Sequence, residues 1–200
     1  MKIVSQIMEN VSAYRLWQAP FAESKLLPLR NHNDLGTVRT VLDVGCGPGT
    51  NTSHFLHADY LGLDANENYI KHARRRYGKE FIAIDVCSYV PPAGIRFDFI
   101  LVNSFFHHID DYNTLKILSR LKSLLTPDGY IHVLDLVMPE SPSIARMLAR
   151  WDRGDFSRPL EQWRRVFMQN FEIVVFEPYP LTTFGVTLWN MVYIKGKAKC

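Results

Sequence analysis

The stretch Val41-Leu42-Asp43-Val44-Gly45-Cys46-Gly47-Pro48-Gly49-Thr50 decides how the chain is read. Apolar β-formers lead into a turn with glycine at every second position, and the polar run Asn51 to His57 follows. The pattern predicts strand, tight turn, helix. Glycines at such a turn reach φ > 0 and let a ligand approach bare backbone, while the helix start behind them offers free N–H groups. The spacing then narrows the ligand. A dinucleotide loop needs G-x-G-x-x-G, and a P-loop needs a Lys followed by Ser or Thr. Here Thr50 stands at the third glycine position, and no lysine follows the turn until Lys71. Asp43, inside the strand end, repels a pyrophosphate but can accept from an ammonium group, directly or through water. The ligand is expected to be cationic at this end rather than phosphorylated.

Two more strands repeat the pattern of an apolar run closed by an acid. Tyr60-Leu61-Gly62-Leu63-Asp64 places Asp64 19 residues beyond Gly45, near the roughly 20-residue spacing of a carboxylate that reaches ribose hydroxyls from the second strand. Phe81-Ile82-Ala83-Ile84-Asp85 ends 21 residues later. Acids on consecutive strand ends share one crevice in a doubly wound sheet. Between these strands, Glu67 to Tyr77 reads as a helix with Asn66 as N-cap and Arg74, Arg75 and Arg76 in its last turns, either a solvated helix end or an RNA-contacting patch. The Pro- and Gly-containing link Val86 to Arg96 excludes a full helix. Phe97 to Val102 is a fourth strand, apolar but for Asp98, as a central parallel strand should be. It opens into Asn103-Ser104-Phe105-Phe106-His107-His108-Ile109-Asp110-Asp111, beside the glycine turn, where the chain order reverses. A helix from Asp111 to Leu125, a break at Thr126-Pro127-Asp128-Gly129 and a fifth strand from Tyr130 to Leu136 follow.

From the glycine turn onward, about residues 40 to 136, the sequence resembles the class I S-adenosylmethionine-dependent methyltransferases of the small-molecule type. The resemblance implies a Rossmann-like, doubly wound α/β sheet of seven mostly parallel strands in the order 3-2-1-4-5-7-6. It implies S-adenosylmethionine as cofactor and S-adenosylhomocysteine as product. Cofactor contacts are expected at Asp43, Gly45, Cys46 and Gly47. Asp64 is expected on the ribose, Ala65 beside the adenine, Asp85 on its amino group and the Val86 N–H on its N1. The carbonyl of Asn103 is placed to accept from the methionine ammonium, and Phe105 or Phe106 to wall the transfer site.

His107 and His108 are the candidate catalytic residues. Neighbours in sequence do not normally point one way and nothing nearby completes a ligand set, so no metal site is expected. A structural imidazole bonded to the loop backbone and a general base for the acceptor's proton both stand, and the sequence does not separate the two histidines.

The flanks read less specifically. Residues 1–200 suit a single domain. Residues 1–35 form an amphipathic helical segment interrupted near Pro20, packed on the sheet or acting as a lid that turns Tyr14, Trp17 or Lys25 toward the cofactor. Arg30 to Asn33 reads as a solvated connection. Residues 138–171 read as two short helices around the loop Gly154 to Arg158, an acceptor cover or a surface pair. Arg150, Arg153 and Arg158 there either bind an acceptor carboxylate or phosphate or pair with Asp152 and Asp155. Glu172 to Glu177 and Trp189 to Lys195 supply a closing antiparallel hairpin, with Tyr179 and Phe184 in the loop between them.

Composition sets the remaining bounds. Hydrophobic residues are 47% and charged residues 22%, and the net charge is +3, ordinary for a globular chain and only mildly basic. Three scattered cysteines form no C-x-x-C pair, which argues against a disulfide framework or zinc ribbon and for a reducing compartment. No apolar run approaches membrane-spanning length, so a cytoplasmic location is expected. A small-molecule acceptor is favoured because there is no strong basic stripe and no Asn/Asp-Pro-Pro-Tyr/Phe motif after the fourth strand. An RNA or tRNA methyltransferase, and a protein that binds the cofactor without transferring its methyl group, are the alternative readings.

Overall fold

Apolar strands alternating with amphipathic helices demand a sheet covered on both faces. The computed structural model describes residues 21–152 and 154–199. Two short helices, α1 (Ala22–Lys25) and α2 (Leu27–Asn31), precede β1 (Thr40–Val44) and β2 (Asp59–Asp64). Then come α3 (Glu67–Arg76), β3 (Glu80–Ala83), β4 (Phe97–Asn103), α4 (Asp111–Leu124) and β5 (Leu125–Leu136). The chain continues through α5 (Ile144–Trp151), α6 (Leu160–Phe167), β6 (Phe171–Thr183) and β7 (Val186–Ala198). The strands form one sheet in the order β3-β2-β1-β4-β5-β7-β6. β1 to β5 pair in parallel, and β7 runs antiparallel between β5 and β6. The expected order is the observed one.

The period of two along β1 sorts its side chains between two cores. Leu42 and Val44 join Ile100, Val102, Ile131 and Val133 under α4 and α6, where Trp163 and Phe167 are fully buried. Val41 faces the opposite side with Phe55, Tyr60, Ile70 and Leu29. Asp43 shares that second face and is completely buried. Among the described residues no helix is long and apolar enough to cross a membrane.

Four local expectations are revised. The helix after the glycine turn is only a 3-10 turn, Thr52–Phe55. The register Thr40↔Asp59 requires the chain to return the length of β1, about 16 Å at ~3.3 Å per residue. Seven residues of α-helix would climb only about 10 Å. The stretch Arg30 to Asn33 is docked rather than solvated. Asn33 donates to the carbonyl of Leu29 and to the Tyr193 hydroxyl, and His32 meets Glu177 at 2.6 Å. The segment 178–185 is mostly strand, because β6 is the sheet edge. Pro178 and Pro180, two residues apart, share one side of an edge strand where missing N–H groups cost nothing to a neighbour. A two-residue turn with Phe184 at φ 49 and Gly185 at φ 76 closes the hairpin, the twist-matched geometry for such loops. Lastly, β5 begins at Leu125, with an irregular register around Thr126 to Gly129.

The helical reading of the insertion after β5 corresponds to α5 and α6. Asn66 caps α3 by accepting from the N–H groups of Asn68 and Tyr69. Arg74 turns back to the Phe81 carbonyl, while Arg75 and Arg76 are exposed. Tyr14, Trp17 and Arg153 lie outside the described residues.

Candidate active site

The C-terminal ends of β1 to β5 carry the residues the sequence singles out, since parallel strands in register deliver their last residues to one edge. Gly45, Gly47 and Gly49 all have positive φ. Gly45 is also pressed from outside: a Cβ there would lie 2.6 Å from the Phe105 ring. The turn therefore depends on glycine both for its conformation and for its contact with the loop after β4. Asp64 holds the turn from the neighbouring strand. One of its oxygens accepts from the Gly47 N–H at 2.9 Å and the other from Asn66 at 2.8 Å. Burial nonetheless raises its carboxyl above the ordinary range.

A cleft of about 450 Å³ opens against this turn. Gly45, Asp64, Ala65, Asp85 and Val86 line it together with Phe105, His108, Asp110, Asn113 and Phe156. Asp85 accepts from the Cys87 N–H. Four other expected cofactor contacts are not among the lining residues. Asp43 lies beneath the turn, accepting from the Tyr60 hydroxyl at 2.6 Å and from Asn51 at 3.1 Å. Burial pushes its carboxyl up to about 7 against these two donors. Asn103 donates its side-chain amide to the Asn51 side-chain oxygen, extending the same network toward β4. Cys46 is buried, which drives its thiol far up. Gly47 presents its N–H to Asp64.

The loop after β4 separates what the sequence left joined. Ser104 adopts φ 54, a left-handed turn that costs a non-glycine residue about 1 kcal/mol or more. It throws Phe105 toward Gly45 and sends Phe106 into the core against Trp163. His108 faces the cleft. His107 is 5% exposed and lies between two carboxylates. Its Nδ1–H donates to Asp135 at 2.6 Å, and its Nε2 is 3.5 Å from Asp152. Burial pulls the imidazole down, but these carboxylates outweigh it and the net shift is upward. Asp135 is fully buried, which opposes its charge. His107 and the backbone N–H groups of Leu136 and Phe106 overcome that and hold the carboxyl low.

The insertion clamps this loop. Arg158 is 2% exposed and donates to Asp111, to the carbonyls of Phe106 and Ile109, and to the Thr114 hydroxyl. It is therefore neither open to an acceptor anion nor paired with Asp152 or Asp155. Gly154 touches the face of His107 so closely that a Cβ would lie 2.2 Å from its ring. Phe156 donates its N–H to the His107 carbonyl and lines the cleft.

Residues 41–129, from the glycine turn to the start of β5, match the methyltransferase-domain family Methyltransf_25. That stretch of the chain is similar to methyltransferase domains. A trans-aconitate 2-methyltransferase of Rhodopseudomonas palustris (strain BisB18) is 33% identical over 108 residues, 52% of this chain and 40% of that protein. Another from Afipia carboxidovorans is 27% identical over 173 residues, 78% of this chain and 61% of that protein. This chain thus spans about half the length of those curated relatives. The N-methyltransferase NodS from Bradyrhizobium japonicum WM9, solved with S-adenosyl-L-homocysteine, shares the fold. Its TM-score is 0.74 at 16% identity, covering 100% of this chain and 98% of that one.

Asp135 is the site residue that sequence reasoning missed. Its signal was present: an acid inside the apolar run Tyr130 to Leu136, the pattern that drew attention to Asp43, Asp64 and Asp85. Phe156, Asp110 and Asn113 carried no such signal, because only the folded insertion and the cap of α4 bring them to the cleft.

Proposed function

We propose that this protein moves the methyl group of S-adenosylmethionine to a small-molecule acceptor in the cleft between the glycine turn and the loop after β4. The observation that carries the reading is the convergence of Gly45, Asp64, Ala65, Asp85, Val86 and His108 on one cleft. Asp64 takes the ribose hydroxyls, Ala65 flanks the adenine, and Asp85 with the Val86 N–H meets the adenine edge. The Asn103 carbonyl, with the Asp43 and Asn51 network behind it, faces the ammonium. The insertion 138–171 covers the acceptor side, which the position of Phe156 supports. Free thiols at Cys46 and Cys87 fit a cytoplasmic setting.

The cofactor brings the electrophilic carbon, so the protein mainly aligns nucleophile, carbon and sulfur. We assign His108, the imidazole that lines the cleft, as the base for an acceptor that must lose a proton. Asp135 and the buried His107 hold the loop that presents it. As the acceptor-to-carbon bond forms, the carbon–sulfur bond breaks and S-adenosylhomocysteine leaves. Because relatives are named for trans-aconitate, that acid is the first acceptor to assay.

Calorimetric titration with S-adenosylmethionine and S-adenosylhomocysteine, beside NAD as control, tests the cofactor assignment. Asp64→Ala is expected to weaken both sulfur ligands by about 100-fold or more, since it removes hydrogen bonds to a charged acceptor worth ~1.5–3 kcal/mol each. Unchanged affinity in that variant would reject the ribose assignment.

A further inference from the structure

The cleft has a charge as well as a shape. Its wall carries the carboxyl groups of Asp64, Asp85 and Asp110, and the basic group among its described lining residues is the imidazole of His108. Arg158, which the insertion brings to the loop after β4, is buried and committed to Asp111 and to the carbonyls of Phe106 and Ile109. A polycarboxylate entering such a wall gives up hydration and gains no opposite charge in return. A cation is drawn in by the same field.

Two of the three acids, Asp64 and Asp85, are taken by the cofactor on the reading given above. Asp110 is left over. It caps α4, one oxygen accepting from the Asn113 N–H and the other from the Asn113 side-chain amide, each at 2.8 Å. These donors hold its carboxyl below the ordinary range, so it is ionised at neutral pH. Each oxygen keeps a second acceptor direction for a ligand. Phe156 is tied to the same loop by its N–H bond to the His107 carbonyl at 3.0 Å, is 43% exposed and lines the same cleft. A carboxylate and an aromatic face attract the same partner, an ammonium on an apolar stem.

We propose that the acceptor is an organic amine, carried as its ammonium on a flat apolar body, which Asp110 and Phe156 recognise, and that this cleft rejects polycarboxylates. The inference rests on the reading that one cleft holds S-adenosylmethionine and the acceptor together. It separates this chain from the relatives named for trans-aconitate, whose length it spans only in part.

The test is a calorimetric titration, at neutral pH, of the chain saturated with S-adenosylhomocysteine. Tyramine, 4-hydroxyphenylacetate and trans-aconitate are the probes, the first two sharing a phenol ring and differing in charge. Tyramine is expected to bind about tenfold more tightly than 4-hydroxyphenylacetate, since a like charge across a contact is penalised where an opposite one is favoured. Trans-aconitate should bind more weakly than either. In Asp110→Asn the gap between the phenols should close, while folding and the affinity for S-adenosylhomocysteine are retained, because asparagine caps a helix as well as aspartate does. An acid that binds as tightly as tyramine, a gap that survives Asp110→Asn, or no tyramine binding at millimolar concentration overturns the proposal. Failure of S-adenosylhomocysteine itself to bind would instead overturn the cofactor reading.

Discussion

Arg158→Met is expected to lower the unfolding free energy by ~2–4 kcal/mol, chiefly from the buried acceptors it leaves unsatisfied. The guanidinium is anchored from both sides, by hydrogen bonds to the segment from Phe106 to Thr114 and by the Trp163 ring 5.1 Å below it. Asp111 is about half exposed and can recover water when the arginine is lost. The carbonyls of Phe106 and Ile109 have less access, and an unsatisfied buried acceptor costs ~1–3 kcal/mol. Most of the loss therefore comes from the backbone of the His107 loop. Arg158→Lys should recover little, since one ammonium cannot match the forked geometry. Urea denaturation of the three proteins checks this, and a loss below about 1 kcal/mol for Arg158→Met would show that the clamp is dispensable.

The second large effect is expected at Asp135. Asp135→Asn should cut the rate of methyl transfer by about 100-fold, the cost of misplacing the loop that presents His108 to the cleft, while cofactor affinity changes little. Both oxygens of Asp135 are acceptors. One serves His107 and Leu136, the other Phe105 and Phe106. An asparagine must turn an NH₂ toward one of these donor sets, so His107 loses either its tautomer or its loop. The same pair gives stability a defined pH window. The Asp135 carboxyl is held below its unfolded value, so its contribution is present above that value and vanishes as pH falls through the folded one. The His107 imidazole is raised, so its contribution is complete below the unfolded value and is lost as pH rises through the folded one. Urea midpoints measured against pH should show the alkaline decline in the unmodified protein and a flatter alkaline side in Asp135→Asn. An alkaline slope identical in both would place the titrating group elsewhere.

Much of the site was legible because parallel strands convert sequence spacing into position. Asp64 and Asp85 were found by their place at the ends of apolar runs, and register brought them to the cleft with Gly45. Asp98, the lone acid in β4, had no reading from sequence. It accepts from the N–H groups of Arg39 and Thr40 and so fixes the start of β1, a contact that depends on which strands are neighbours. His107 and His108 could not be told apart, because the positive φ of Ser104 and the approach of Gly154 decide which imidazole is enclosed. Arg158 was misread for the same reason: its partners lie about fifty residues away, on a loop whose path the sequence does not state. Pro178 and Pro180 suggested a loop only because the edge position of β6 was not yet known.

Asp64 is oriented by Gly47 and Asn66 without help from any ligand. Each carboxylate oxygen has two acceptor directions, and the backbone occupies one on each. The two that remain point outward from a side chain whose rotamer freedom disappeared when the chain folded. On the proposed ribose role, a vicinal diol arriving there would meet acceptors already fixed in place, and the entropy of ordering them would be absent from its binding free energy. Selectivity for a sugar over a single hydroxyl then follows from geometry set before the encounter.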